Sequence, residues 1–287
     1  MVLPEQDGMR LRDVLRRVMG VSYTAMKSAK WNGGITVDGV VTPVDAFVRA
    51  GQVVAIRFRE NAPAYAVKPY DLPLNIACED DWLFVIDKPA PLASQSSALH
   101  PDDTLENALY AHLCCPTDFV YRPVNRLDKG TSGLMIVAKD AHIQHRLQAL
   151  LHTPEFIRTY QAVVEGYPDD DCGVIDAPIG KEDAASIRRI VTASGKPSVT
   201  HYRVLKRGKT RTLVELVLET GRTHQIRVHM ASIGCPVVGD FLYGTEIPQL
   251  PGRFALHASA LTLHHPMTGD WLSLTSPLPA PLATLLD

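Results

Sequence analysis

The stretch Asn125-Arg126-Leu127-Asp128-Lys129-Gly130-Thr131-Ser132-Gly133 runs directly into Leu134–Ala138, five consecutive apolar residues. A loop rich in Gly, Ser and Thr ahead of a short apolar run predicts a turn that opens a buried strand. Such a strand must be covered on both faces, so the chain has to fold as a sheet with further layers packed on it. The same loop sets Asp128 and Arg126 at the mouth of that strand. Asp, Ser and Thr in turns often only satisfy backbone groups, so the loop by itself leaves Asp128 open to a structural or a chemical reading.

Further segments read as strands: Trp82–Ile86, Arg158–Val164, Val199–Leu205, Thr212–Leu218, Leu256–Leu263 and Trp271–Leu274. After Leu134–Ala138, Asp140 is placed to cap a helix with Ile143, Leu147 and Leu151 on one face. Strands outnumber helices, and short turns such as Arg207-Gly208-Lys209 join neighbours. The fold class expected is α+β, a mixed and largely antiparallel sheet with flanking helices. At 287 residues and 46% hydrophobic, the chain is long enough for two domains.

The smaller domain is expected at residues 1–60. Leu11, Val14, Leu15 and Val18 fall on one helical stripe that Gly20 ends. Ser22 is placed to cap a second helix, Tyr23–Trp31, which Asn32-Gly33-Gly34 stops. Ile35, Val37 and Val53–Phe58 read as strands around a Val-Asp-Gly turn. Glu60–Pro73 carries Pro63, Pro69 and Pro73 without periodicity, which marks residues 61–73 as a linker, and residues 74–287 form the larger domain.

The net charge of −2 argues against a protein that coats nucleic acid indiscriminately. Basic residues are concentrated, however: residues 1–60 hold nine Lys/Arg against six Asp/Glu, and residues 205–230 hold six against two. Met1–Glu5 lacks the pattern of a secretory leader and no run of about 18 apolar residues occurs, so a cytoplasmic protein is expected, with neither secretion nor a membrane span. Five cysteines without a C-x-x-C pair are expected to be reduced thiols. His142/His145 and His264/His265 lack an H-E-x-x-H pattern, Ser132 is not in a G-x-S-x-G elbow, and no P-loop or G-x-G-x-x-G occurs. Metal, nucleotide and nicotinamide chemistry therefore have no support in the sequence.

The Asp128 loop, Arg158-Thr159-Tyr160-Gln161-Ala162-Val163-Val164-Glu165-Gly166 and Gly221-Arg222-Thr223-His224-Gln225-Ile226-Arg227-Val228-His229-Met230, in this order and at these separations, resemble the signatures of the RluA-type family of RNA pseudouridine synthases. The resemblance extends from about Leu74 to the C-terminus and includes Asp87–Leu92, Gly234–Asp240, Leu256-His257-Ala258 and His265-Pro266. Two departures stand out: Asn125 replaces the usual His before Arg-Leu-Asp, and Ala93-Ser94-Gln95 replaces Val-His-Pro. Both bear on substrate identity more than on reaction type. The first 60 residues are similar to the alpha-L RNA-binding fold named after a small-subunit ribosomal protein, on the strength of the Leu spacing, Lys27, Lys30, the Gly33-Gly34 stop and the Val-Asp-Gly turn. A small structural cap is the competing reading.

Turning uridine into pseudouridine breaks the bond from base nitrogen to sugar, rotates the base and rejoins it through carbon 5. Nothing is oxidised or hydrolysed, so neither cofactor nor metal is expected. The resemblance implies Asp128 as the essential carboxylate and Arg227 as its counter-charge, one turn into a helix that Thr223 is expected to cap. It implies Tyr160 as a ring stacked on the base whose phenol helps remove the carbon 5 proton. Arg126 would fill the gap left by an everted base or hold a phosphate. Arg222, His224 and Gln225 would meet phosphates at the helix start, and Lys27 and Lys30 would contact RNA from the small domain. Without the resemblance, Tyr160 reads as a core tyrosine, Arg126 as a member of an ordinary ion pair and Arg227 as an exposed helix arginine. The expected partner is structured RNA, ribosomal in the first instance and transfer RNA in the second, bound by a monomer. A non-catalytic RNA-binding or ribosome-assembly factor is the alternative.

Overall fold

The computed structural model describes residues 1–58, 66–183 and 186–286. Near the N-terminus, α1 (Leu11–Asp13) continues into a π turn over Val14–Val18, and α2 (Tyr23–Trp31) follows, capped by Ser22 Oγ accepting from Ala25 N–H at 3.1 Å. Strands β1 (Ile35–Val37), β2 (Val40–Val41) and β3 (Val54–Ile56) form an antiparallel sheet in the order β2-β1-β3. Leu11, Val14 and Leu15 are buried as their spacing requires, but Val18 is 46% exposed. The wider i→i+5 winding, with Met19 N–H on the Val14 carbonyl, carries Val18 off the apolar stripe. These residues, with Met26, Ala29, Ile35 and Val37, form a small apolar core of their own. The expected linker lies partly outside the described residues.

The larger unit comprises β4 (Asn75–Glu79), β5 (Leu83–Lys88), α3 (Leu105–His112), β6 (Ser132–Ala138), α4 (Ala141–Leu150), β7 (Phe156–Glu165), β8 (Cys172–Asp176), β9 (Ile179–Lys181), β10 (Arg189–Val191), β11 (Val199–Arg207), β12 (Arg211–Leu218), α5 (Gln225–Ser232), β13 (Leu256–His264), β14 (Trp271–Thr275) and α6 (Ala280–Ala283). Eight strands run in the order β4-β5-β6-β13-β7-β12-β11-β8, with β14 paired to β13, while β9 and β10 form a separate hairpin. All pairings in the large sheet are antiparallel except β6 with β13. The mixed, largely antiparallel sheet with flanking helices is the expected one.

β6 is buried along its whole length, as an uninterrupted apolar strand must be. α4 covers one face with Ile143 and Leu147, and Asp140 caps it by accepting from Ile143 N–H at 2.8 Å. Gly133 makes the single parallel pairing possible. It has φ +107°, and a Cβ there would lie 2.3 Å from the Ala258 carbonyl oxygen. The start of β6 is thereby drawn against β13, and the Asp128 loop opens over the seam between them.

Candidate active site

Asp128 sits in a tight turn in which its carbonyl accepts from Thr131 N–H at 3.0 Å. Ser94 clamps the residue before it: its hydroxyl donates to the Leu127 carbonyl at 2.6 Å and accepts from Leu127 N–H at 3.2 Å. Asn125 Oδ1 accepts from Ile136 N–H at 2.9 Å and ties the loop to β6. The two departures from the family pattern thus both brace the backbone around Asp128. Behind the loop, fully buried Lys88 donates to the carbonyls of Pro89 and Leu92 at 3.0 and 2.7 Å, and Leu92 N–H donates to the Lys129 carbonyl at 2.9 Å. Burial pushes the Lys88 ammonium down to about 7. The sequence reading gave Lys88 no role, because an internal lysine beside a proline carries no periodic signal.

Arg227 lies in the first turn of α5, 2% exposed. Its Nη1 donates to Asp128 Oδ2 at 3.0 Å, while Nε and Nη2 donate to the two oxygens of Asp240 at 2.6 and 2.8 Å. Asp240 has no exposed surface and also accepts from the backbone N–H groups of Leu242 and Tyr243 at 3.0 and 3.3 Å. The guanidinium lies against the rings of Phe254 at 4.2 Å and Tyr243 at 5.1 Å. Burial disfavours its charge, yet Asp240 and Asp128 hold it above the ordinary arginine value. The exposed-arginine reading of Arg227 is excluded. Asp240 stood in a quoted segment, but nothing in its neighbours pointed to a partner thirteen residues back.

The start of α5 departs from expectation. Thr223 is not the cap; His224 occupies that position with φ +60°, and no side chain caps the helix there. Gln225 is buried, and its amide serves the loop instead of standing free for a phosphate: its Oε1 accepts from Arg222 N–H and the Thr220 hydroxyl, and its Nε2 donates to the Val199 carbonyl. A left-handed residue turns the chain sharply, so the Gln225 side chain folds back to satisfy the loop that Thr223 was expected to serve. His224 is turned into the site, with Nδ1 2.9 Å from the Tyr243 hydroxyl and Nε2 3.9 Å from Asp128 Oδ2. Burial lowers its pKa, so the imidazole is neutral. Tyr243 accepts from Arg189 N–H at 2.8 Å, which leaves its own proton free for His224 Nδ1 and directs an N–H from Nε2 toward Asp128.

Tyr160 is 5% exposed on the β7 face it shares with Ala162 and Val164. Burial, opposed by Arg158 and assisted by Asp128, pushes its phenol above the ordinary value. Asp128, Tyr160, His224 and Arg227 surround a recess of about 70 Å³. The recess adjoins a cavity of about 730 Å³ bounded by Ser94, Asn125, Arg126, Arg158, Gly221 and Arg222 among others. The structure therefore brings Asp128, Tyr160 and Arg227 together, with Arg126 and Arg222 on the cavity wall. Lys27 and Lys30 are exposed on α2 and line neither space. Among the described residues no group of three or more His, Cys, Asp or Glu is placed to hold a metal ion, and the five cysteines are free thiols.

A carboxylate held by a buried arginine, beside an aromatic ring and a basic wall, can act on a sugar whose base is caged against the ring. Residues 82–232 match the RNA pseudouridylate synthase family. The ribosomal large subunit pseudouridine synthase D of Pseudomonas aeruginosa is 38% identical over 302 residues, covering 99% of this chain and 92% of that protein. The counterpart of the same name in Escherichia coli K12 is 37% identical, covering 100% and 92%, and the uncharacterised RNA pseudouridine synthase YlyB of Bacillus subtilis is 39% identical, covering 93% and 89%. Among solved structures, human RNA pseudouridylate synthase domain containing 1 superposes with a TM-score of 0.61 at 27% identity, covering 75% of this chain and 86% of that one. On the family match and these full-length identities, this chain belongs to the RNA pseudouridylate synthase family.

Proposed function

We propose that the protein isomerises particular uridines of large-subunit ribosomal RNA to pseudouridine, with Asp128 as the carboxylate that acts at the ribose. The observation carrying this assignment of roles is the hydrogen bond from Arg227 Nη1 to Asp128 Oδ2 at 3.0 Å. Arg227 and His224 both approach Oδ2, and Oδ1 has no hydrogen-bond partner among the described residues, so Oδ1 is the oxygen available to the sugar. Arg227 sets a fixed positive charge against the carboxylate in the recess. Tyr160 offers its ring to the loosened base. Its raised pKa keeps the phenol protonated, so the hydroxyl is available as a hydrogen-bond donor and is not a ready base for the carbon 5 proton.

The ribosomal substrate is drawn from the names of the relatives at 37 and 38% identity. The reaction conserves every atom of the nucleotide and changes no oxidation state, so the chain's own residues suffice. All the groups invoked come from one chain, in keeping with a monomer, and a ribosomal substrate fits a cytoplasmic enzyme. Residues 1–60 are read as an RNA-binding module, residues 61–73 as its linker and residues 74–287 as the catalytic domain. A non-catalytic factor would have no use for Arg227 divided between two carboxylates.

The test is pseudouridine mapping in ribosomal RNA of cells carrying the wild-type protein or Asp128→Asn. The expected result is loss of one or a few pseudouridines in the variant, with unchanged folding and RNA affinity of the purified protein. Full modification by Asp128→Asn would remove the carboxylate from the reaction. An identical pattern in cells lacking the gene altogether would exclude ribosomal RNA as the substrate.

A further inference from the structure

Arg158 is a buried cation without an anion. It is 5% exposed, no carboxylate lies within 4 Å of it among the described residues, and its Nε has no hydrogen-bond partner. Among the described residues the guanidinium makes one hydrogen bond, a long one of 3.3 Å from Nη2 to the Leu151 carbonyl. A guanidinium taken out of water costs several kcal/mol unless an opposite charge or a full set of acceptors meets it. The other deeply buried arginine of the site, Arg227, has two carboxylates.

The surroundings point to more than a packing role. Arg158 lines the large cavity, two residues before Tyr160 on the same face of β7. Its guanidinium lies across the backbone of Gly221, where an added Cβ would stand 3.1 Å from Nη1. Any other residue at 221 would press on the guanidinium. Arg222 follows on the same wall, and His152, whose ring carbon approaches the same Gly221 position, is kept neutral by burial and by both arginines. The cavity wall thus carries Arg126, Arg158 and Arg222, and among the described residues Asp128 is the one carboxylate that lines it.

Building on the RNA assignment above, we infer that Arg158, with Arg222, holds a phosphodiester of the substrate strand beside the target uridine while the base lies against Tyr160. The i, i+2 spacing puts Arg158 about 7 Å along the strand from Tyr160, within reach of the sugar–phosphate attached to a base in the recess. The planar fork suits two non-bridging phosphate oxygens, and it stays desolvated, so the contact is worth more here than on an exposed surface.

The test is a cycle between Arg158→Met and RNA substrates carrying one methylphosphonate linkage, placed in turn at each phosphate flanking the target uridine. In the wild type, one linkage should weaken binding roughly tenfold or more. Arg158→Met should bind normal RNA more weakly, lose clearly less than the wild type does when that linkage is introduced because only Arg222 still meets the phosphate, and lower the salt dependence of affinity by about one released counterion.

The bland alternative is that Arg158 only secures the C-terminus of α4 through Leu151. It predicts a lower melting temperature, an unaltered salt slope and strictly additive effects at every linkage, and that result would overturn the inference. If Arg158→Met does not fold, Arg158→Gln carries the same cycle, because it loses the charge while keeping a polar side chain. Absence of coupling there would be equally decisive. A wild type that forms no pseudouridine in the RNA would instead refute the functional reading on which the inference rests.

Discussion

Asp240 grips Arg227 with both carboxylate oxygens, at 2.6 Å to Nε and 2.8 Å to Nη2, and thereby turns Nη1 toward Asp128. One arginine thus joins a carboxylate with no exposed surface to one that faces the recess. The inner carboxylate fixes geometry; the outer one is the carboxylate proposed to meet the substrate.

Asp240→Asn should therefore damage both the fold and the chemistry. The amide replaces one charge-assisted acceptor with a donor aimed at a guanidinium, leaving a buried cation underpaired. Breaking such a pair typically costs about 3–5 kcal/mol, which differential scanning calorimetry would register as a clear fall in melting temperature. A freed guanidinium also misplaces Asp128, so the saturated rate should drop by roughly a hundredfold, with the Michaelis constant for RNA little changed. A variant of normal stability and normal rate would mean that Asp128 needs no help from Asp240.

How much of this was legible in the sequence depends on the range of the interaction. Tyr160, Ala162 and Val164 share a buried face because alternation is local. The Asp140 cap was equally readable, because cap and target are three residues apart. α3 was missed although Thr104 and Asn107 form a capping box and Leu105, Ala108 and Leu109 keep helical spacing. Its turn signals merge with the preceding loop. β8, β9 and β10 are short and carry few apolar residues, so pairing partners and not periodicity define them. The roles of Asp240, Lys88 and Gln225 depend on groups that only the fold brings near, and the left-handed His224 displaced the cap expected from Thr223.

Tyr160→Phe separates ring from hydroxyl. Burial pushes the phenol above its ordinary value near 10, so it stays protonated throughout the neutral range. RNA affinity should persist in the variant because the ring remains. Product formation should fall if the hydroxyl donates a hydrogen bond during the reaction. The pH–rate profiles of the two proteins should have the same shape up to about pH 9, because the wild-type phenol does not titrate there. A basic limb below that pH, present in wild type and lost in Tyr160→Phe, would restore the phenolate as a base.

Acid stability should follow from two buried imidazoles. His229 donates from Nε2 to the Ala177 carbonyl and accepts at Nδ1 from Thr200, and His257 donates from Nε2 to the Ser276 carbonyl and accepts at Nδ1 from Ser132. Burial lowers both pKa values in the folded state. The unfolded chain therefore binds protons first, at its ordinary value of about 6.5. Stability should be full above that pH, decline as pH falls through 6.5, and level off only below the folded-state values. Melting temperatures from pH 7.5 to 5 would trace this. His229→Gln, which keeps one donor and one acceptor, should start less stable at pH 7.5 and show a shallower decline. An unchanged slope in both His229→Gln and His257→Gln would assign the acid sensitivity to other groups.

The RNA-binding reading of residues 1–60 needs a test that spares the fold. Phe58 stacks on His142 with ring centroids 5.7 Å apart, and Gly20 approaches Arg146 of the same helix, so deleting the module would also uncover α4. Lys27 and Lys30 give a cleaner probe, since both side chains are exposed on α2 and neither forms an ion pair among the described residues. Lys27→Gln with Lys30→Gln should leave the melting temperature unchanged. If the pair meets phosphates, affinity for the full RNA should fall, and the slope of log affinity against log salt should shrink by up to about two. A short stem-loop confined to the catalytic cavity should react at the same saturated rate in both proteins, because Asp128, Tyr160 and Arg227 are untouched. An unaltered slope on the full RNA would favour the structural cap.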